Sequence, residues 1–329
     1  MSNNWVVFGL SNSKEYAKQI SKLTNIAHGD ILTTKFADGE ILVKPQVPVR
    51  GKNVILIQST SKPVNDNLME LLIAIDALKR ASAQAIIVLI PYFGYSRQDR
   101  KTQGREPITC KLVADFIVYA GATKVILIDI HSKQTQGFFN VPVDTLVASP
   151  ILISQYQKNN KKNNFCIVAP DYGAVKKVKD ISNNLKVEFA IVDKRRPKPN
   201  EVEVTNILGD VKDKDCIVID DMIDTGGTVL ASAQLLKKYG AKKIIIMATH
   251  GLFSNNAIEK FYKAIDDGFI HEIYISNSIL NNCDIKHKNI HIVDLIPFLS
   301  EVFNAQIQNR SVSAIYKKYW EKICHWEKK

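Results

Sequence analysis

Short apolar runs of strand length recur along this chain, separated by longer stretches of helical periodicity, and that alternation constrains the fold most. The runs are Trp5–Leu10, Val54–Gln58, Ala85–Ile90, Val125–Ile130, Phe165–Ala169, Cys216–Ile219, Ile244–Ala248 and Ile290–Val293. Between Asn65 and Ala81, the side chains of Leu68, Leu71, Leu72, Ile75 and Leu78 recur at the spacing of one buried helix face. Thr228–Tyr239 does the same with Leu230, Leu235 and Leu236. Strands alternating with helices of this kind make βαβ units and a mostly parallel sheet. The chain is read as an α/β protein.

At 329 residues the chain exceeds what one hydrophobic core serves, so two domains are expected. A boundary near Ser149–Pro150 divides the pattern into residues 1–149 and 150–305, with a C-terminal segment, 306–329. Within that segment the helix-like stretch Val312–Lys328 is expected to pack back on the first half. No apolar run approaches the roughly 18 residues of a membrane span, and no basic region precedes an apolar stretch at the start. A cytoplasmic protein without a membrane partner is therefore expected. The net charge of +11 is read as lysine bias on solvated faces, not as a nucleic-acid surface. The basic stretch Lys158–Asn164, for instance, offers no aromatic ring on which a base could stack. Five widely spaced cysteines with no CxxC pair speak against a disulfide framework or a zinc site.

The clearest chemical signal is VIDDMIDTGGT, Val218 to Thr228. An apolar strand runs into Asp220 and Asp221, then through Asp224, Thr225, Gly226 and Gly227 to a helix starting near Thr228. The glycines allow a tight anion-binding nest, the threonines add hydroxyl donors, and the helix N-terminus favours negative charge. Two carboxylates beside a phosphate cradle make sense if they accept hydrogen bonds from sugar hydroxyls or face a Mg²⁺ ion. A phosphorylated sugar satisfies both halves of the loop. Neither a GxxxxGK[ST] nor a GxGxxG motif occurs.

VIDDMIDTGGT resembles the phosphoribosyl-diphosphate loop of type I phosphoribosyltransferases. The rest of the chain resembles one branch of that fold, the ribose-phosphate diphosphokinases. The matching segments are FADGEI (Phe36–Ile41), NDNLMELLIAIDALKRASA (Asn65–Ala83), PYFGYSRQDRK (Pro91–Lys101), REPIT (Arg105–Thr109), DIHSKQTQGFF (Asp129–Phe139), PDYG (Pro170–Gly173), DKRRPK (Asp193–Lys198), ATHGLFS (Ala248–Ser254) and RSVSAIY (Arg310–Tyr316). The resemblance implies two phosphoribosyltransferase-type domains, each a mostly parallel sheet flanked by helices. It implies transfer of the β,γ-diphosphoryl group of ATP to the C1 hydroxyl of ribose 5-phosphate, giving 5-phospho-α-D-ribose 1-diphosphate and AMP. A homo-oligomer, commonly a hexamer, is implied too.

Carried over residue by residue, the resemblance places Phe36, Asp38, Gly39 and Glu40 at the adenine pocket and Arg97, Gln98 and Asp99 as further ATP contacts. It assigns His131 and Asp171 to the Mg²⁺–nucleotide complex, and Asp220, Asp221, Asp224, Thr225, Gly226, Gly227 and Thr228 to ribose 5-phosphate. Lys194 and Arg196 are the expected catalytic cations, Arg196 also meeting ribose 5-phosphate. In an extended segment, positions two apart point to one side, so both could serve the same site. Diphosphoryl transfer needs positioning and cations where negative charge develops, more than covalent help.

Two positions depart from the family pattern: Ala174 stands where a second glycine is usual, and Pro48 precedes Val49, Arg50 and Gly51. The second puts control by phosphate and ADP in question. Two alternatives remain at this point. A phosphoribosyltransferase would consume phosphoribosyl diphosphate but has no need of FADGE, RQDRK or the Lys194/Arg196 pair. A catalytically silent regulatory homologue would be expected to have lost those cations.

Overall fold

The computed structural model describes residues 4–160, 164–195, 203–280 and 285–324. Arg196 and Cys283 lie outside the described residues, and no side chain is described for Lys194. The chain forms two units. One is built on the chain up to Val147 together with residues 278–280 and Leu295–Val312; the other comprises Ala148–Asn277, residues 285–294 and the chain from Ser313.

In the first unit the strands are β1 (Trp5–Gly9), β2 (Ala27–His28), β3 (Ile31–Lys35), β4 (Ile41–Pro45), β5 (Asn53–Ile57), β6 (Ala85–Ile90), β7 (Lys124–Ile128) and β8 (Val143–Leu146). The helices are α1 (Lys14–Thr24), α2 (Val64–Arg80) and α3 (Thr109–Ala120). Six strands form one sheet in the order β2-β1-β5-β6-β7-β8, every pair parallel. The Val/Ile/Leu runs of β5, β6 and β7 are buried on both faces, as parallel strands covered by helices must be. Helix α2 buries Leu71, Ala74, Ile75 and Leu78 completely. Strands β3 and β4 form a separate antiparallel hairpin, in register from Ile31↔Pro45 to Lys35↔Ile41.

The second unit begins with α4 (Ser149–Asn159), β9 (Phe165–Ala169), α5 (Val175–Leu185), β10 (Phe189–Arg195) and β11 (Glu203–Leu208). It continues with β12 (Asp215–Ile223), α6 (Gly227–Lys238), β13 (Lys243–Gly251), α7 (Ala257–Asp266), β14 (Glu272–Ser276) and β15 (Ile290–Val293). Its seven strands run in the order β11-β10-β9-β12-β13-β14-β15, and only β10 and β11 pair antiparallel. After β9 the chain moves through α5 to one side, and after β12 it moves through α6 to the other. The neighbours β9 and β12 therefore flank a topological switch point, where open α/β sheets leave a crevice beyond the strands' carboxyl ends.

The C-terminal segment departs from expectation. Helix α8 (Ile296–Ile307) belongs to the first unit, where it packs on α1 and Gln306 Nε2 donates to Asp144 Oδ2 at 2.8 Å. The last helix, α9 (Ser313–Cys324), packs instead on α4 and α5 of the second unit, with Gln157 Nε2 donating to the Ile323 carbonyl at 3.1 Å. The reason is burial: Ile315 and Ile323 find their apolar cover in the second unit. The described cysteines carry no disulfide; Cys110, Cys166 and Cys216 are buried and Cys324 is exposed.

Candidate functional site

The acidic loop begins on β12, a central strand of its sheet with β9 on one side and β13 on the other. Its apolar half, Cys216 to Ile219, is buried, and Asp220 and Asp221 follow as its two partly exposed positions before the buried Met222 and Ile223. Gly226 then turns the chain with φ +79° and its carbonyl accepts from Leu230 N at 2.9 Å, opening α6. A side chain at Gly226 would stand 2.6 Å from the buried Phe261 ring, so the site needs glycine for both conformation and space. A Cβ on Gly227 would meet nothing within 4 Å, so the backbone there faces open space. Gly226, at the N-cap, offers α6 no side chain, and the positive dipole end of the helix favours an anion.

The carboxylates of β12 are crowded. Asp220 Oδ1 accepts from Asp221 N at 2.8 Å, and Asp221 Oδ1 accepts from Met222 N at 2.9 Å. Burial, with the negative charges of Asp221 and Asp171 added, pushes the Asp220 carboxyl up to about 8. Asp171 follows β9 directly, so the switch point between β9 and β12 is what sets it within electrostatic reach of Asp220. Its Oδ1 also accepts from Gly173 N at 2.9 Å and Ala174 N at 3.3 Å, capping the short turn before α5. Ala174 takes φ −83° and ψ −10° there, a conformation open to any residue, so its departure from glycine changes no geometry. Lys177, on α5, reaches the Asp220 carbonyl with Nζ at 3.4 Å. Sequence reasoning did not single out Lys177.

Lys194 lies in β10, paired with Val204 of β11, and the pairing shifts register between Asp193 and Lys194. The DKRRPK segment thus begins as strand. The shift re-aims the chain where the expected catalytic pair begins.

In the first unit, the FADGE segment is the tip of the β3–β4 hairpin. Phe36 N donates to the Glu40 carbonyl at 2.8 Å, Gly39 N to the Phe36 carbonyl at 3.0 Å, and Glu40 N to Asp38 Oδ1 at 3.1 Å. Gly39 takes φ +100°, and Phe36 is 49% exposed, an aromatic face turned to solvent at the tip. Arg97, Gln98 and Asp99 lie beyond β6, where Gln98 is held by its amide to the Tyr95 carbonyl (2.9 Å) and by Thr109 Oγ1 on its Oε1 (2.6 Å). The charged loop that follows is ordered around Glu106. Its carboxylate accepts from Thr102 N, Thr102 Oγ1 and Gln103 N, which together hold it below the usual carboxylate range. His131 is exposed just beyond β7. His131 belongs to the first unit and Asp171 to the second. Among the described residues, no cluster of three or more His, Cys, Asp or Glu is arranged as a ready metal cage.

Comparison with known proteins adds two family models. Residues 5–121 match the N-terminal domain of ribose phosphate pyrophosphokinase, and residues 151–279 match the phosphoribosyl transferase domain. A ribose-phosphate pyrophosphokinase of Ureaplasma parvum serovar 3 is 54% identical over 297 residues, 90% of this chain and 89% of that protein. One from Mycoplasma genitalium is 50% identical over 97% of this chain and 96% of its own length. The crystal structure of phosphoribosylpyrophosphate synthetase from Mycobacterium smegmatis superposes with a TM-score of 0.85 at 36% identity, covering 93% of this chain and 99% of that one.

Proposed function

This chain belongs to the ribose-phosphate pyrophosphokinase family, whose reaction is synthesis of 5-phospho-α-D-ribose 1-diphosphate, and we propose that it proceeds by transfer of the β,γ-diphosphoryl group of ATP to the C1 hydroxyl of ribose 5-phosphate, releasing AMP. The observation that carries the sugar-phosphate half is the glycine-opened N-terminus of α6, with Gly226 at φ +79° and open space at Gly227, preceded in the chain by the carboxylates of β12. The 5-phosphate takes the backbone amides of Thr225 to Thr228, with the Thr225 and Thr228 hydroxyls as further donors. Asp220 and Asp221 accept from the ribose hydroxyls, bonds that favour the ionised form of a carboxyl that burial lifts. Asp224 lies between these two halves in sequence and completes the loop.

In the first unit Phe36 stacks on adenine, with Asp38, Gly39 and Glu40 supplying acceptors and backbone at the hairpin tip. Arg97, Gln98, Asp99 and His131 bind the nucleotide further along. Lys194 and Arg196 place two cations where charge develops on the transferring group. A carboxylate oxygen suits a hard divalent cation, so Asp171 would serve as a Mg²⁺ ligand, while His131, an unusual ligand for that ion, would act on the nucleotide through a bound water or phosphate. Mg²⁺ supplies charge neutralisation of the polyphosphate when bound. Treatment with EDTA should abolish turnover, and Mg²⁺ should restore it; turnover that persists after chelation would remove the metal assignment. The reading takes the enzyme as cytoplasmic and homo-oligomeric, with a hexamer expected by light scattering.

The direct test is ³¹P NMR of the protein with ATP, Mg²⁺ and ribose 5-phosphate. AMP and an anomeric diphosphate signal should appear together and only with the sugar phosphate. ADP with a new monophosphate would mean ordinary phosphoryl transfer and overturn the reading. No turnover by folded protein would favour a silent regulatory homologue.

A further inference from the structure

The β3–β4 hairpin is held to its unit from one face only. Ile31 and Val43 are buried beneath it, while Leu32 and Leu42 on the outer face are 50% and 47% exposed. A two-stranded hairpin is marginal by itself, so the orientation of its tip depends on what lies beneath. There the carboxylate of Glu70, on α2, is 2% exposed and gathers donors from three elements. Its Oε1 accepts from Thr33 Oγ1 of β3 at 2.7 Å, and from Ser11 Oγ at 2.7 Å and Ser11 N at 3.3 Å beyond β1. Its Oε2 accepts from Gln58 Nε2 at 2.7 Å, beyond β5. A second tie to α2, between Lys35 and Asp66 at 2.8 Å, is solvent-exposed and contributes little.

We propose that Glu70 is a positioning residue for the nucleotide, acting through Thr33 to fix the hairpin so that Phe36–Glu40 is presented to ATP. This inference rests on the reading of the hairpin tip as the adenine contact. A carboxylate with all these donors is satisfied where it lies, so its burial costs no stranded charge. Thr33 stands on β3 three residues before Phe36, which follows the strand's last residue, close enough that a tilt of β3 is carried to the ring. The anchor also joins the hairpin to the carboxyl ends of β1 and β5, so the tip is referenced to the sheet as well as to α2.

Thr33→Val removes the hydroxyl with little change of shape and leaves Glu70 its Ser11 and Gln58 donors. The Michaelis constant for ATP should rise about tenfold, the scale of one charge-assisted hydrogen bond. The kcat and the constant for ribose 5-phosphate should stay within about twofold of the parent on that same scale. Thr33→Ser should restore the parent value, and Glu70→Gln should show the same split should Thr33→Val fail to fold. An unchanged ATP constant in a folded Thr33→Val protein, or an equal rise for both substrates, overturns the proposal. Phe36→Ala, measured in parallel, then separates the causes. If it weakens ATP while Thr33→Val does not, only the anchor is wrong; if neither weakens ATP, the hairpin reading falls with it.

Discussion

Replacing Lys194 with alanine is expected to lower kcat by about a hundredfold or more, the scale of losing one group aimed at transition-state charge. Diphosphoryl transfer spreads negative charge over the migrating group, and a cation that meets it only then lowers kcat and kcat/KM together when removed. Substrate Michaelis constants should therefore move much less than kcat. The backbone of residue 194 is held by pairing with Val204, so the variant should keep its fold and its melting temperature. Arg196→Ala should behave alike, with an added rise in the constant for ribose 5-phosphate. Initial rates by coupled AMP release decide the matter: a Lys194→Ala enzyme within a few-fold of the parent would remove Lys194 from the chemistry.

Gly226→Ala should do comparable damage by a different route. The position needs φ +79°, where a Cβ costs about 1–2 kcal/mol, and the added methyl would stand 2.6 Å from the Phe261 ring. Phe261 is fully buried and stacked edge-on against Phe253, with ring centroids 5.7 Å apart, so it cannot move aside freely. The loop must shift, which withdraws the amides from the phosphate. The Michaelis constant for ribose 5-phosphate should rise more than about tenfold while that for ATP moves little, and the melting temperature should fall by several degrees. Gly226→Ala/Phe261→Leu should recover part of the stability by relieving the contact but none of the φ cost. A constant for ribose 5-phosphate within twofold of the parent would mean that this loop does not cradle the phosphate.

Much of this architecture was legible before any coordinates. Each apolar run named from the sequence is a strand, and the two helical stretches lie within one residue of α2 and α6. The strands it missed are informative. Strand β8, VDTL, has one fully buried side chain and sits at a sheet edge, so it lacks an apolar run. Strand β10 runs from apolar residues into the charged Asp193–Arg195, so no apolar run marks its second half, and its antiparallel partner β11 holds it extended. Glu70 was hidden inside a segment read as an amphipathic helix. The signal that could have exposed it was a carboxylate beside Leu71, on the face that carries Ala74 and Leu78 inward.

What the sequence by itself determined is local. Runs of Val and Ile, the helical spacing of leucines, and glycines at the positive-φ positions 39 and 226 act through the residue's own dihedrals and its nearest neighbours. The order of the phosphate loop, strand to carboxylates to glycines to helix, is of the same kind. Only the tertiary structure decided which distant segments meet. It set Asp171 beside Asp220 across the switch point between β9 and β12, gathered Ser11, Thr33 and Gln58 onto Glu70, and sent α8 and α9 to different units. Those outcomes depend on strand order and on where buried surface finds cover, quantities summed over the whole chain that no short window of residues contains.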